Sequence, residues 1–208
     1  MRTFKVVLLG DFGVGKTSFG VRITEDRFED TTKATIGVAH LTAYCMDSFF
    51  RRVCLELWDT AGQERYRSLD NMRMYLRNAL AAFVLFDVTS NSTFESAKRV
   101  VEQLRSEDVG AAKQLVVALV ANKCDISDHA VSQATLEAYA KKADVPVVAL
   151  ASCKSGQNIA TLVRQVADRL MALPDDDQPD TSTGGAIIMP SSAPTNLSSR
   201  VSTSNACC

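Results

Sequence analysis

The sequence predicts a doubly wound α/β domain, and three observations carry that expectation. Apolar strand-like runs recur at residues 4–9, 41–46, 53–58, 80–88, 115–121 and 146–151, with helical patterns between most of them. Two runs, Ala81-Ala82-Phe83-Val84-Leu85-Phe86 and Leu115-Val116-Val117-Ala118-Leu119-Val120, are apolar at every position, as strands covered by helices on both faces must be. The first run passes through a glycine-rich turn directly into a helical stretch.

The helical patterns lie at roughly 16–25, 68–77, 92–107, 132–143 and 157–172. Runs 41–46 and 53–58 are joined only by Asp47-Ser48-Phe49-Phe50-Arg51-Arg52, which leaves no room for a helix. They are expected to form a hairpin, giving a six-stranded, mostly parallel sheet with one antiparallel edge strand and helices on both faces. A chain of 208 residues that is 46% hydrophobic suffices for one domain with a full core. Its formal charge of −1 announces neither nucleic acid nor a charged membrane surface as a partner. No run of about 18 apolar residues predicts a transmembrane helix. Met1-Arg2-Thr3 runs directly into a strand, so no signal peptide is expected. Cys45, Cys54, Cys124 and Cys153 are scattered without metal-ligand spacing, which fits a reduced, intracellular protein.

Beyond Leu173 the composition changes. Pro174-Asp175-Asp176-Asp177-Gln178-Pro179 opens a stretch rich in Ser, Thr, Pro, Gly and Ala, ending at Cys207-Cys208. Such a segment cannot bury enough surface to offset its ordering entropy. The expected organisation is a folded domain over 1–173 and a disordered tail over 174–208.

The turn after the first strand is Gly10-Asp11-Phe12-Gly13-Val14-Gly15-Lys16-Thr17, a G-x-x-x-x-G-K-[ST] run in the strand–loop–helix setting that a phosphate cradle requires. The backbone N–H groups of Asp11, Gly13, Val14, Gly15 and Lys16, with Thr17 and Ser18 at the helix start, would surround phosphate oxygens. Lys16 would reach the β- and γ-phosphates and assist catalysis, and the Thr17 hydroxyl would ligate Mg²⁺. Asp59-Thr60-Ala61-Gly62-Gln63-Glu64 follows the third strand. Asp59 would serve the Mg²⁺ shell, Gly62 would offer an N–H to the γ-phosphate, and Gln63 would orient the attacking water. Taken alone, Asp-Thr-Ala-Gly is equally well a turn.

Asn122-Lys123-Cys124-Asp125 follows the fifth strand. The Asp125 carboxylate can accept from both N1–H and the 2-amino group of guanine, which adenine does not offer, so one buried pair selects the base. Asn122 would tie the loop, and the Lys123 stem would lie over the base. Ser152-Cys153-Lys154 follows the last strand, where the Cys153 N–H would point at the guanine O6. The nucleotide implied is GTP or GDP.

With these motifs in order, the chain resembles a Ras-superfamily small GTPase, with a P-loop NTPase G domain, over about residues 3–172. Trp58-Asp59-Thr60-Ala61-Gly62-Gln63-Glu64-Arg65-Tyr66 and the terminal Cys207-Cys208 resemble the Rab branch. The resemblance implies that Thr35 closes on Mg²⁺ and the γ-phosphate, and that Phe28 packs edge-on against guanine. Residues 26–40 and 60–77 would be switches ordered by the γ-phosphate. Ile36, Gly37, His40, Trp58 and Tyr75 would form the face that effectors read. Both terminal cysteines would carry prenyl chains, a pair that physics favours because one chain gives only marginal binding and no basic cluster assists it here. The implied partners are an exchange factor, a GTPase-activating protein, a GDP dissociation inhibitor, a prenyl escort protein, effectors and a membrane, with no nucleic acid. The implied place is the cytoplasmic face of an intracellular membrane, with a cytosolic pool. Ala39 and Tyr66-Arg67-Ser68-Leu69 resemble endosomal Rabs.

Three stretches depart from the Rab pattern. Phe12 stands where a small residue is usual, over the γ-phosphate and near Gln63, and suggests slow hydrolysis; packing aside against a switch is the alternative. Ile36-Gly37-Val38-Ala39-His40 lacks the usual acid and aromatic, and His40 would make the effector contact titratable unless it is a plain surface histidine. The stretch Ser68 to Tyr75 is about two residues longer than usual, which leaves the placement of Tyr75 open. Two other functions stay in view: a Ras-like signalling switch not devoted to trafficking, and a GTP-locked binding module with little turnover.

Overall fold

The structure is a computed structural model that describes residues 1–30, 38–60, 69–106 and 115–174. Its strands are β1 (Arg2–Leu9), β2 (Val38–Met46), β3 (Arg52–Thr60), β4 (Ala81–Asp87), β5 (Val116–Asn122) and β6 (Val147–Leu150). Its helices are α1 (Lys16–Glu25), α2 (Leu69–Leu76), α3 (Asn91–Arg105), α4 (Gln133–Lys142) and α5 (Ile159–Met171). The six strands form one sheet in the order β2-β3-β1-β4-β5-β6. Only the β2–β3 pair is antiparallel, so the edge strand stands where the short 47–52 connection placed it.

β2 starts three residues earlier than its apolar run. Val38, Ala39 and His40 pair with Thr60, Asp59 and Trp58 through the backbone, and an edge strand with one open face alternates polar and apolar residues. A search for continuous apolar runs therefore misses that start.

Alternation along each strand sends side chains into two cores. Phe4, Val6 and Leu8 of β1 join Phe83 and Leu85 of β4, under Phe19 of α1 and Leu162, Val166 and Leu170 of α5. Val7 and Leu9 join Val84 and Phe86 on the other face, under Phe94 and Val101 of α3 and Leu136 of α4. Aromatic contacts brace each side: Phe19 meets Phe83 edge-on at 5.0 Å between ring centroids, and Phe86 meets Phe94 in a tilted pair at 4.8 Å.

The parallel strands fix the site. β1, β3, β4, β5 and β6 all end on the same edge of the sheet, so the segments that follow them converge there, as in other open α/β sheets. The β2–β3 turn lies at the opposite edge. The described residues belong to the compact unit Met1–Asp177, and among the described helices none is long and apolar enough to cross a membrane.

Candidate functional site

The loop after β1 is shaped by backbone geometry that a side chain would disturb. Gly13 sits at φ 76° with open space where a Cβ would stand. Gly15 sits at φ 95°, and a Cβ there would lie 2.4 Å from Asn122 Nδ2. Gly15 also caps α1, and its carbonyl accepts from Phe19 N at 2.8 Å. No acidic residue stands in the first turn of α1 itself, so the acid that meets its positive end is Asp59 of β3, which accepts from Thr17. Val14 is fully buried, Ser18 is buried beside it, and Asp11 lies half-buried at the rim.

Lys16 is 6% exposed and donates to the carbonyls of Gly10 at 2.9 Å and Asp11 at 2.8 Å. Its stem thus spans the loop, and its ammonium stands over the turn where a phosphate chain would thread. Thr17 Oγ1 donates to Asp59 Oδ2 at 2.6 Å, and Asp59 is fully buried. Thr60 Oγ1 donates to Leu8 O at 2.8 Å, which clamps the end of β3 to β1 and holds Asp59 in register. A hydroxyl and a carboxylate in contact, both oxygen donors beside a phosphate cradle, suit Mg²⁺, which takes one or two protein oxygens and completes its shell with phosphate and water. Thr35, Gly62 and Gln63, expected to complete this end, lie outside the described residues, as do Ile36, Gly37, Cys207 and Cys208.

Asn122, at the end of β5, joins both halves of the site. It is 2% exposed; its Nδ2 donates to Val14 O at 2.8 Å and its Oδ1 accepts from Cys153 N at 3.1 Å. One side chain therefore binds the phosphate loop to the loop after β6, a wider tie than the one expected within its own segment. The Cys153 N–H, expected to point at a base oxygen, is engaged by this contact because Asn122 brings its carbonyl into reach. The Cys153 thiol is buried, and burial pushes its pKa up to about 12.

Ser152 Oγ donates to Asp125 Oδ1 at 2.6 Å and accepts from Ser155 N at 3.0 Å, which orients a carboxylate that is otherwise exposed. Lys123 adopts φ 66°, and its ammonium pairs with Asp87 Oδ2 at 2.6 Å. Burial raises the Asp87 pKa, but the bonds from Lys123 and from Thr89 outweigh it and hold the carboxyl below its usual range. Lys154 pairs across the surface with Asp30 at 3.5 Å. Phe28, half-buried after α1, packs against the core cluster.

Two residues of this assembly were not anticipated. Arg22 donates to Cys153 O at 2.8 Å through Nε and to Lys154 O at 3.0 Å, holding the last loop from α1. Asp87 holds Lys123. A carboxylate at the end of β4 was a legible signal for Asp87; nothing in the spacing of Arg22 announced its role.

On the open face of the sheet, His40 and Trp58 stand opposite one another on β2 and β3, edge to face at 5.7 Å. Lys5 Nζ lies 4.2 Å from the Trp58 ring centroid. Tyr75, expected beside them on a partner-facing surface, is instead 6% exposed within the second core.

A glycine-rich phosphate loop, an oxygen pair for Mg²⁺ and an oriented carboxylate for a base, joined by one asparagine, define a guanine-nucleotide-binding P-loop domain. Residues 5–172 match the Ras family. Over 168 residues the chain is 40% identical to GTP-binding protein ypt5 of Schizosaccharomyces pombe (strain 972 / ATCC 24843), covering 80% of this chain and 77% of that protein. The chain belongs to the Ras family of small GTPases, on its Rab branch, and is a GTP hydrolase.

Proposed function

We propose that this GTPase is a lipid-anchored switch of intracellular vesicle traffic, cycling between GTP and GDP at the site around Asn122. The observation that carries the nucleotide reading is the double bond of Asn122 to Val14 and Cys153, because it makes base recognition and phosphate binding one unit. Backbone N–H groups of Asp11, Gly13, Val14, Gly15 and Lys16, with Ser18, Thr35 and Gly62, receive the phosphates. Lys16 leaves its two carbonyl partners for the β- and γ-phosphate oxygens, where it stabilises charge on the transferring group. Thr17, Thr35 and Asp59 would hold Mg²⁺, which would supply positive charge against the phosphates. Gln63 orients the water. Asp125 accepts from guanine, Lys123 and Phe28 flank the base, and Ser152, Cys153 and Lys154 close the pocket.

No strong general base stands among the described site residues, so an exchange factor and a GTPase-activating protein set the rates. The tail over 174–208 serves as a tether, with prenyl chains on Cys207 and Cys208 holding the domain at an endosomal membrane. A GDP dissociation inhibitor and a prenyl escort protein handle those chains in the cytosol. Effectors read the His40–Trp58 face together with Ile36 and Gly37. The test is imaging of tagged Gln63→Leu protein beside the same protein carrying Cys207→Ser and Cys208→Ser. The first marks one organelle and the second is diffuse; two diffuse distributions would sink the membrane reading and leave a switch without an anchor.

One observation favours a second reading. Phe12 is 66% exposed on the phosphate loop, a large apolar ring with no core to fill. Held over the γ-phosphate, it would exclude the groups an activating protein inserts and leave a long-lived GTP form. A Phe12→Ser variant is then several-fold faster in single-turnover hydrolysis with activating protein; an unchanged rate removes this reading.

A further inference from the structure

The β2–β3 turn carries the most exposed aromatic pair of the described residues. Phe49 is 77% and Phe50 84% exposed, and Met46 and Tyr44 extend the apolar surface along β2. Neither phenylalanine serves the fold. Phe50 sits at φ 60°, a left-handed conformation that glycine or asparagine adopts readily and a bulky residue rarely. Nothing in turn chemistry calls for phenylalanine there.

The turn is nonetheless stiff. Asp47 Oδ1 accepts from Phe49 N at 3.0 Å and Arg51 N at 2.8 Å, its Oδ2 accepts from Arg51 Nε at 2.6 Å, and its carbonyl accepts from Phe50 N at 3.0 Å. Ser48 is bolted to α5 through Asp168 by two bonds of 2.6 and 2.7 Å. The two rings are thus presented on a rigid mount, so little ordering entropy is lost when they bury.

Position selects the occupant. Arg51 lies over the Phe49 ring at 5.5 Å while its charge is paired with Asp47, and Arg52 is exposed next to it. With Asp168 alongside, the two bases and two acids of the turn balance, so its surface there is amphipathic rather than basic. Arg2 donates to Leu173 O at 3.1 Å and Pro174 O at 3.4 Å, and Arg2 itself pairs in register with Val53, next to Arg52. The described chain therefore ends at Pro174 on the same edge of the domain as the turn, with residues 175–208 and the terminal cysteines beyond it. The nucleotide site is at the other edge, a nine-residue strand away, or roughly 30 Å.

We propose that Phe49 and Phe50 insert into the interfacial layer of the bilayer, with Arg52 at the headgroups. This second contact rests on the reading of the tail as a membrane tether. It would fix the orientation of the domain: the nucleotide edge faces away from the bilayer, where regulators and effectors reach it. Because the turn is remote from the phosphates, the contact is equally strong with GTP and GDP.

The test uses the full chain with a hexahistidine tag at its C-terminus, tethered to phosphatidylcholine–phosphatidylserine vesicles by a nickel-chelating lipid. Phe49→Trp supplies the probe, and protein with phenylalanine at 49 gives the Trp58 background. Brominated phosphatidylcholine is expected to quench the introduced tryptophan by about half, at a depth of roughly 5–10 Å. Adding Phe50→Ser or Arg52→Glu is expected to reduce quenching, the latter more on anionic than on neutral vesicles. Full tethering with no quenching overturns the proposal. The tag replaces the lipids, so a failure of prenylation, read separately by the mass of the cell-derived protein, leaves this result intact. With prenylated protein, Phe49→Ser/Phe50→Ser is expected to leave vesicles about tenfold faster; an unchanged rate counts against insertion.

Discussion

Asn122→Ala is the perturbation that probes the site most directly. The side chain is 2% exposed and satisfies the Val14 carbonyl at 2.8 Å and the Cys153 N–H at 3.1 Å. Truncation leaves two buried backbone groups without that partner, at about 1–3 kcal/mol each. Both groups sit in loops, which relax toward water, so a combined loss near the lower end, about 2–3 kcal/mol, is the better figure. Most of it falls on nucleotide binding, because neither loop belongs to the sheet. GDP affinity is expected to fall about 100-fold, each tenfold step being about 1.4 kcal/mol. Titration calorimetry with GDP measures this, and thermal unfolding of the nucleotide-free protein reports the share borne by the fold. Asn122→Asp keeps the acceptor for Cys153 but sets a second oxygen against the Val14 carbonyl, so it should be no better than alanine. GDP affinity within threefold of the parent in Asn122→Ala would refute the idea that this residue couples the two loops.

Arg22→Ala removes both contacts to the Cys153 and Lys154 carbonyls, and the GDP dissociation rate should rise about tenfold. Arg22→Lys should recover less than half of that, since one ammonium does not span both acceptors; stopped-flow release of a fluorescent GDP analogue reads both. Asp87 has a folded pKa below its unfolded value, so its contribution is present above about pH 4 and lost as pH falls through the folded value. Melting temperatures of the parent and Asp87→Asn should therefore differ by a constant amount from pH 5 to 8 and converge in more acidic buffer. With its pKa pushed up to about 12 by burial, Cys153 should resist iodoacetamide at neutral pH and react only after denaturation, as peptide mass mapping would show.

What the sequence disclosed divides along a physical line. Period and composition act over many residues at once, so the six strands, the five helices and the lone antiparallel edge were legible from where the apolar runs lie. The motif positions were legible for the same reason: Gly15, Lys16, Thr17, Asp59, Asn122 and Asp125 each lie at or just beyond the end of a strand, on the edge where the parallel strands converge. Contacts between side chains distant in sequence were not. Arg22 meets Cys153, and Asn122 meets Val14, across distances that no local pattern encodes. Tyr75 shows the converse failure: an aromatic just past a motif reads as surface, and only the packing of α2 against the second core shows that it turns inward. Phe49 and Phe50 were visible as residues of a connection, but a connection's sequence does not say which side chains stay uncovered. Only the register of β2 on β3, the Asp47 bonds and the mount on Asp168 fix the two rings outward. The candidate nucleotide residues are thus the ones written in local pattern, whereas the Arg22 and Asn122 ties and the mount of Phe49 and Phe50 arise from tertiary contacts. Substitutions at Arg22, Phe49 or Phe50 should accordingly change behaviour while leaving every recognisable motif intact.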